Sequence, residues 1–311
     1  MEFQGIEHYP VLYREVIENL PPECEFVFDG TLGHGGHAKL VLQDPKVIKY
    51  FGIDQDINII QHFTNNVLDD RLKLYHGNFS EAPELSIPEL DESKLDAVIL
   101  DLGTSMSQLK NPKRGFSFLK DGPIDMRMNN SSSFTVKEWL QEASIEEISQ
   151  VILDYGEDKF HYRIARAIHE RIDDINTTLE LASVIENCLP KSHLRKQKIH
   201  GATRTFQAFR IHINNELEVL KNSLDYFLGT LKPGGRLLVI SFHSLEDRIV
   251  KKKFRTWLEE SNMPKHLLPE GEYKEALGKM ISRKGFEPSK LEVEENPASR
   301  SARLRVFEKR K

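Results

Sequence analysis

Cysteine is nearly absent: Cys24 and Cys188 are the only two in 311 residues. They lie far apart and fit neither a metal nor a redox spacing, which points to two reduced thiols. No run of 18 apolar residues exists, so no transmembrane helix and no membrane partner are expected. The opening MEFQGIEHYPVLYREV lacks the basic start and apolar stretch of a signal peptide, and the expected location is the cytoplasm. Internal repeats and low-complexity tracts are also missing. A net charge of −5 argues against a generic nucleic-acid binder.

The charge is unevenly spread. Between Lys191 and His212 stand Lys191, Arg195, Lys196, Lys198, Arg204 and Arg210, with no acid among them. VKKKFR (250–255) and the tail from Arg300 are further basic runs. An acidic body with basic stripes can meet a polyanion at selected places. Each run taken alone reads better as a solvated face.

Hydrophobic content of 39% and charged content of 29% fit a globular chain of one large or two modest domains. Short apolar runs at Phe26–Asp29, Tyr50–Asp54, Leu72–His76 and Leu95–Leu102 alternate with helical stretches such as Ala38–Gln43 and Asp56–Val67. That alternation predicts a parallel sheet covered on both faces, an α/β fold. From Gln108 to Ala202 no convincing strand occurs, and Ser144–Glu147 and Thr177–Glu180 have capping-box spacing. The sheet pattern then returns. From Thr205 to Leu231 apolar residues recur at steps of three or four, a helix with one buried face that Lys232-Pro-Gly-Gly235 stops. RLLVISF (236–242) and Ala302–Phe307 read as strands. The expected division is a sheet domain in two parts, 1–107 and 203–311, split by an inserted helical domain, 108–202.

FDGTLGHGGHAKLVL (28–42) follows the first strand and opens a helix. It is not a P-loop, because Lys-Ser/Thr is missing after its last glycine. It can be written G-x-G-x-x-A with Gly33, Gly35 and Ala38. Asp54 ends the next strand, 21 residues after Gly33, where a carboxylate accepts ribose hydroxyls. A dinucleotide and S-adenosylmethionine both fit this plan. Asp29 and Asp101, at the ends of neighbouring strands, are expected to repel a pyrophosphate and to attract an ammonium and a sulfonium. The charge pattern therefore favours S-adenosylmethionine. His34-Gly-Gly-His37 supplies two metal ligands without a further pair, so no metal site is expected. Neither cysteine lies at a strand's carboxyl end, which disfavours cytosine carbon-5 chemistry through a thiolate.

HYPV (8–11), DGTLGHGGH (29–37), DLGTSMSQL (101–109), RGFSF (114–118), DGPIDMRM (121–128), YGEDKF (155–160), ATRTFQAFRI (202–211), LKPGGRLLVISFHSLEDRIVK (231–251), ENP (295–297) and RSARLRV (300–306) together carry a resemblance. The chain resembles the RsmH (MraW) family of bacterial 16S ribosomal RNA cytosine-N4 methyltransferases over nearly its whole length. The resemblance implies a class I S-adenosylmethionine-dependent methyltransferase sheet with an inserted helical substrate-recognition domain. It implies cofactor contacts at Gly35, Gly36, His37, Asp54, Phe79, Asp101 and Gln108. It implies a cytidine of the 16S rRNA decoding region as substrate, in the small ribosomal subunit. Where many members read Val-Ser-Ser-Pro-Gln, this chain has Thr104-Ser-Met-Ser-Gln108.

An exocyclic amine is a poor nucleophile, and an acceptor for its hydrogens raises its electron density. Asp101 or backbone carbonyls of the loop after it can serve; Asp101 is assigned that positioning role, with a contact to the cofactor alone as the alternative. Arg195, Lys198, Arg204 and Arg210 are candidates for RNA phosphates. Phe242 is a candidate to stack on a base drawn from its helix, with Phe116 and Phe118 behind it. Two other readings keep the fold: a nicotinamide-dependent oxidoreductase and a non-catalytic ribosome assembly factor. The oligomeric state stays open, a homodimer included.

Overall fold

A computed structural model describes residues 10–67, 69–132, 134–195, 199–260 and 275–310. The chain forms two compact units, Met1–Gly103 with Leu217–Lys311, and Thr104–Glu216. The expected insertion was narrower, 108–202. The helix Thr203–Ile213 was expected to continue to Leu231 on the sheet domain; instead it belongs to the helical unit. Asn214 and Asn215 end it. Asn215 takes a left-handed φ of 51°. The Asn214 amide donates to the carbonyls of Met126 and Arg210 and accepts from the Met128 N–H. A second helix, Glu216–Thr230, follows.

In the sheet unit the strands are β1 (Phe26–Asp29), β2 (Lys49–Asp54), β3 (Leu72–His76), β4 (Leu95–Asp101), β5 (Leu231–Ser241), β6 (Gly278–Met280) and β7 (Arg303–Lys309). Among the described residues they make one sheet in the order β3-β2-β1-β4-β5-β7-β6. β1 to β5 pair in parallel, and β7 is antiparallel to both β5 and β6. Lys232-Pro-Gly-Gly235 does stop the preceding helix, but the strand starts at once, and the register slips between Leu95 and Ala97.

Alternate residues of each central strand enter different cores, as a sheet covered on both faces requires. Phe28, Phe51, Ile53, Val98 and Val239 pack with Leu224, Phe227 and Phe254. Val27, Tyr50, Ile99, Leu238 and Ile240 pack with Leu12, Val41, Ile59 and Phe63. β4 is buried from Leu95 to Leu100, and only Asp101 emerges.

The helical unit has its own core. Helices Ile145–Gly156, His161–His169, Thr178–Cys188 and Thr203–Ile213 contribute Ile148, Ile164, Ile168, Leu181, Ile185 and Phe209. Ser144 with Glu147, and Thr177 with Glu180, close capping boxes as their spacing predicts. No helix among the described residues is long and apolar enough to cross a membrane.

Candidate active site

Strand order reverses between β1 and β4, and open α/β sheets bind ligands at the carboxyl ends of strands flanking such a point. Asp29, Asp54 and Asp101 end β1, β2 and β4 there. The glycine loop is stitched across that edge. The Gly30 N–H donates to the Ile99 carbonyl at 2.9 Å, and the Leu32 N–H to the Ile53 carbonyl at 3.1 Å. The Gly33 N–H donates to Oδ2 of Asp54 at 2.9 Å.

The loop needs glycine at its turn for two reasons. Gly33 and Gly35 have φ of 52° and 65°, a region L side chains avoid. At Gly35 an added Cβ would also lie 2.0 Å from Cζ of Phe63. Among the described residues outside its immediate chain neighbours, only the Thr31 carbonyl oxygen comes within 4 Å of such an atom at Gly33, so the backbone there is open to close approach.

Asp54 is half-buried. Burial raises its carboxyl to about 6 against the opposing pull of the Asp56 and Gly33 N–H groups. The Asp56 N–H donates to Oδ1 at 2.9 Å. Each oxygen therefore accepts one backbone N–H and keeps a lone pair for a ribose hydroxyl. Phe79 opens a 3-10 helix directly after β3, half-buried, its ring 6.2 Å from that of Phe227.

Asp29 overturns the electrostatic argument made for it. It is fully buried, and its carboxylate is consumed inside the sheet unit. Oδ1 accepts the Thr31 N–H at 3.0 Å, and Oδ2 accepts the Tyr50 hydroxyl at 2.7 Å. Burial raises its carboxyl, and the Tyr50 bond opposes this. Asp29 therefore anchors the loop and does not face a ligand's cation. Through Thr31, whose Oγ1 accepts the Asp101 N–H, the anchor reaches the end of β4. Neither Thr31 nor Tyr50 stood out in the sequence, since a hydroxyl's partner is set by the sheet register. Tyr50→Phe is expected to cost about 1–3 kcal/mol by leaving a buried acceptor unpaired; a urea melt indistinguishable from wild type would reject that role.

Asp101 keeps 25% of its side chain exposed. His37, in the first turn of helix Gly36–Val41, is buried beside it, with Nε2 3.6 Å from Oδ2 of Asp101. Gly35, Gly36, His37, Asp54, Phe79 and Asp101 thus share one edge of the sheet unit. Gln108 belongs to the helical unit. There Ser105 and Gln108 close a capping box on helix Met106–Lys110, so the variant loop Thr104–Gln108 folds as a helix start.

Phe242 follows β5 and is half-buried. The buried Glu246 carboxylate accepts the Phe242 N–H at 2.8 Å and stands 3.0 Å from Nε2 of His243. This pins the chain where the SFHSLED segment leaves the sheet. Phe116 and Phe118 are core residues of the helical unit; Phe118 packs edge-on to Phe206. Arg195 and Arg204 are exposed, and Arg204 donates to the Glu157 carbonyl. Arg210 is held bidentately by Glu216 at 2.8 and 3.0 Å, which removes it from the set of available cations. Lys196 and Lys198, like His8 and Tyr9 of HYPV and Lys311 of the basic tail, lie outside the described residues.

Both thiols are poor nucleophiles. Burial pushes Cys24 up to about 12, and burial also raises Cys188. Cys24 precedes β1, at the opposite end of the strands from the glycine loop.

A five-stranded parallel run extended by an antiparallel β7, with a glycine loop after β1 and an acid ending β2, is the sheet of a class I S-adenosylmethionine-dependent methyltransferase. The sequence profile of the MraW methylase family matches residues 5–310, and the chain belongs to that family. It is 43% identical over 306 residues to the ribosomal RNA small subunit methyltransferase H of Thermotoga neapolitana, covering 97% of this chain and 95% of the relative. It is 41% identical to the protein of that name from Hydrogenovibrio crunogenus, covering 97% and 96%. The match to the one from Syntrophotalea carbinolica is 40% identical and covers 99% of both.

Proposed function

We propose that this methyltransferase transfers the methyl group of S-adenosylmethionine to N4 of a cytidine in the decoding region of 16S rRNA, within the small ribosomal subunit and in the cytoplasm. The family match over residues 5–310 carries this reading. The residues at the sheet edge fit the cofactor: an open backbone at Gly33, and a carboxylate at Asp54 with one free lone pair on each oxygen.

Bound S-adenosylmethionine supplies the methyl group as an electrophile attached to a sulfonium. Asp54 accepts the ribose hydroxyls. Gly35, Gly36 and His37 line the approach, and Phe79 offers a ring face at the end of β3. The helical unit recognises the substrate. Asp101 accepts a hydrogen of the cytosine amine and aims the nitrogen lone pair. A methylated amine is far more acidic than the free one, so a carboxylate suffices to take the surplus proton. Phe242 supplies a face on which the extruded base stacks. Arg195, Lys198 and Arg204 hold phosphates.

The test is methyl transfer from labelled S-adenosylmethionine to small subunits lacking the modification, followed by nucleoside mass spectrometry. Label in N4-methylcytidine is expected. Label in another nucleoside would overturn the substrate, and no label with cofactor binding intact would favour an assembly factor. Charge reversal at Arg195 and Lys198 is expected to weaken RNA binding and flatten its salt dependence by about one unit of slope per lost phosphate contact. Cofactor affinity should stay unchanged. Full RNA affinity at low salt would mark the stripe as a solvated face.

A further inference from the structure

The imidazole of His37 is a buried polar group that the fold leaves without a hydrogen bond among the described residues. It is 5% exposed, and neither ring nitrogen has a hydrogen-bond partner among the described residues. A buried polar group without a partner costs about 1–3 kcal/mol, so such an arrangement persists where function requires it. Its near neighbour shares the condition. Asp101 Oδ1 is buried and unbonded, while the other oxygen, Oδ2, stands 3.6 Å from His37 Nε2. Asp29 also interacts electrostatically with His37, but its carboxylate is tied up by Thr31 and Tyr50. His37 therefore has one carboxylate left to serve. The order outward is imidazole, then carboxylate, then solvent, because Asp101 is the partly exposed member of the pair.

We propose that His37 is a positioning residue for methyl transfer and acts through Asp101; the inference rests on the N4-methylation reading above. The Nε2–H of His37 closes on Asp101 Oδ2 when the substrate base seats. This fixes the rotation of a carboxylate that has no side-chain or backbone donor of its own among the described residues. A rotationally fixed acceptor holds the amine hydrogen in one direction and so fixes the direction of the nitrogen lone pair, where a misplacement of about 1 Å costs on the order of 100-fold in rate. After transfer the surplus proton passes from nitrogen to the Asp101 carboxylate and then to water. His37 keeps its own proton throughout, and its electrostatic contact holds Asp101 ready as the acceptor.

The role separates from a cofactor contact by its kinetics. His37→Leu removes the donor and keeps an apolar side chain in the pocket. His37→Gln restores an N–H donor at nearly the Nε2 position. With unmodified small subunits, His37→Leu is expected to lower kcat at least tenfold. KM for the subunit should stay within about twofold of wild type, and at saturating S-adenosylmethionine the loss in kcat should remain, whatever the variant does to the calorimetric Kd for the cofactor. His37→Gln should recover kcat to within about threefold. Equal kcat for the two variants, or a loss confined to cofactor affinity, would overturn the inference, as would a His37→Leu enzyme as fast as wild type. Circular dichroism and thermal melts of both variants exclude misfolding as the cause. Wild type is assayed first: failure to place label in N4-methylcytidine would overturn the underlying reading, and this inference with it.

Discussion

Gly35→Ala is expected to destabilise the protein by about 2–5 kcal/mol and to abolish cofactor binding at working temperature. Two costs add. A φ of 65° is left-handed and costs an alanine about 1–2 kcal/mol. The new Cβ would also overlap the Phe63 ring, with Cζ at 2.0 Å and Cε1 at 2.5 Å. Phe63 is fully buried against Ile59 and Val41, so the ring cannot swing away, and overpacking of this kind costs about 1–3 kcal/mol. The two costs separate in a double-mutant cycle. In a Phe63→Leu background the ring end is gone, and Gly35→Ala should then cost only the backbone strain. Urea denaturation of the four proteins decides it. Equal costs in both backgrounds would show that the ring does not police this turn.

S-adenosylmethionine affinity is expected to fall about fivefold between pH 6 and pH 5 and to be nearly flat above pH 7. The cause is the Asp54 carboxyl, raised to about 6 by burial. Ribose hydroxyls donate to the ionised form, so binding competes with protonation, and the apparent Kd rises more steeply below the free carboxyl's midpoint, approaching tenfold per unit. The folding contribution of the same group has the opposite sign. Its folded value lies above the unfolded value of about 3.9. Its contribution to the stability of the unliganded protein is therefore fully present below about 3.9 and is lost as pH rises through about 6. Acid thus favours the empty fold at this group while it disfavours the complex. Calorimetry across pH 5–8 measures the first effect. Asp54→Asn should remove the pH dependence, and Asp54→Ala should weaken binding by about 1.5–3 kcal/mol. A flat wild-type profile, or unchanged affinity in Asp54→Ala, would reject Asp54 as the ribose acceptor.

Much of the sheet could be read from the chain because its strands are short, apolar and bounded by turn formers. β1, β3 and β4 lie within a residue of the segments expected. β6 escaped because Gly278–Met280 is three residues long with no alternation; its partner β7 supplies the pairing that makes it a strand. The long helix from Thr205 to Leu231 was misread for a different reason. Its apolar spacing runs through Asn214 and Asn215 unbroken, and only the carbonyls and N–H of the 126–128 segment give Asn214 a reason to end the helix there.

The site divides the same way. The left-handed turn at Gly33 and Gly35 and the strand-end positions of Asp54 and Asp101 were legible from residue type and spacing, because a loop that must turn left-handed leaves few residue choices. Asp29 carried the same chemical label and was placed wrongly. Charge gives no direction: the register of β1 against β2 sets Asp29 beside the Tyr50 hydroxyl and seals it in, while β4 runs two residues further and lifts Asp101 to the surface. Arg210 was lost from the basic stripe in the same manner, to Glu216 six residues on. The sequence by itself determined the class of sheet, the ligand-bearing edge and the family, since these depend on periodicity and local backbone demands. Only the tertiary structure decided which carboxylate faces outward, which cation is already paired and that a buried imidazole stands behind Asp101, because each depends on what packing brings alongside from distant parts of the chain.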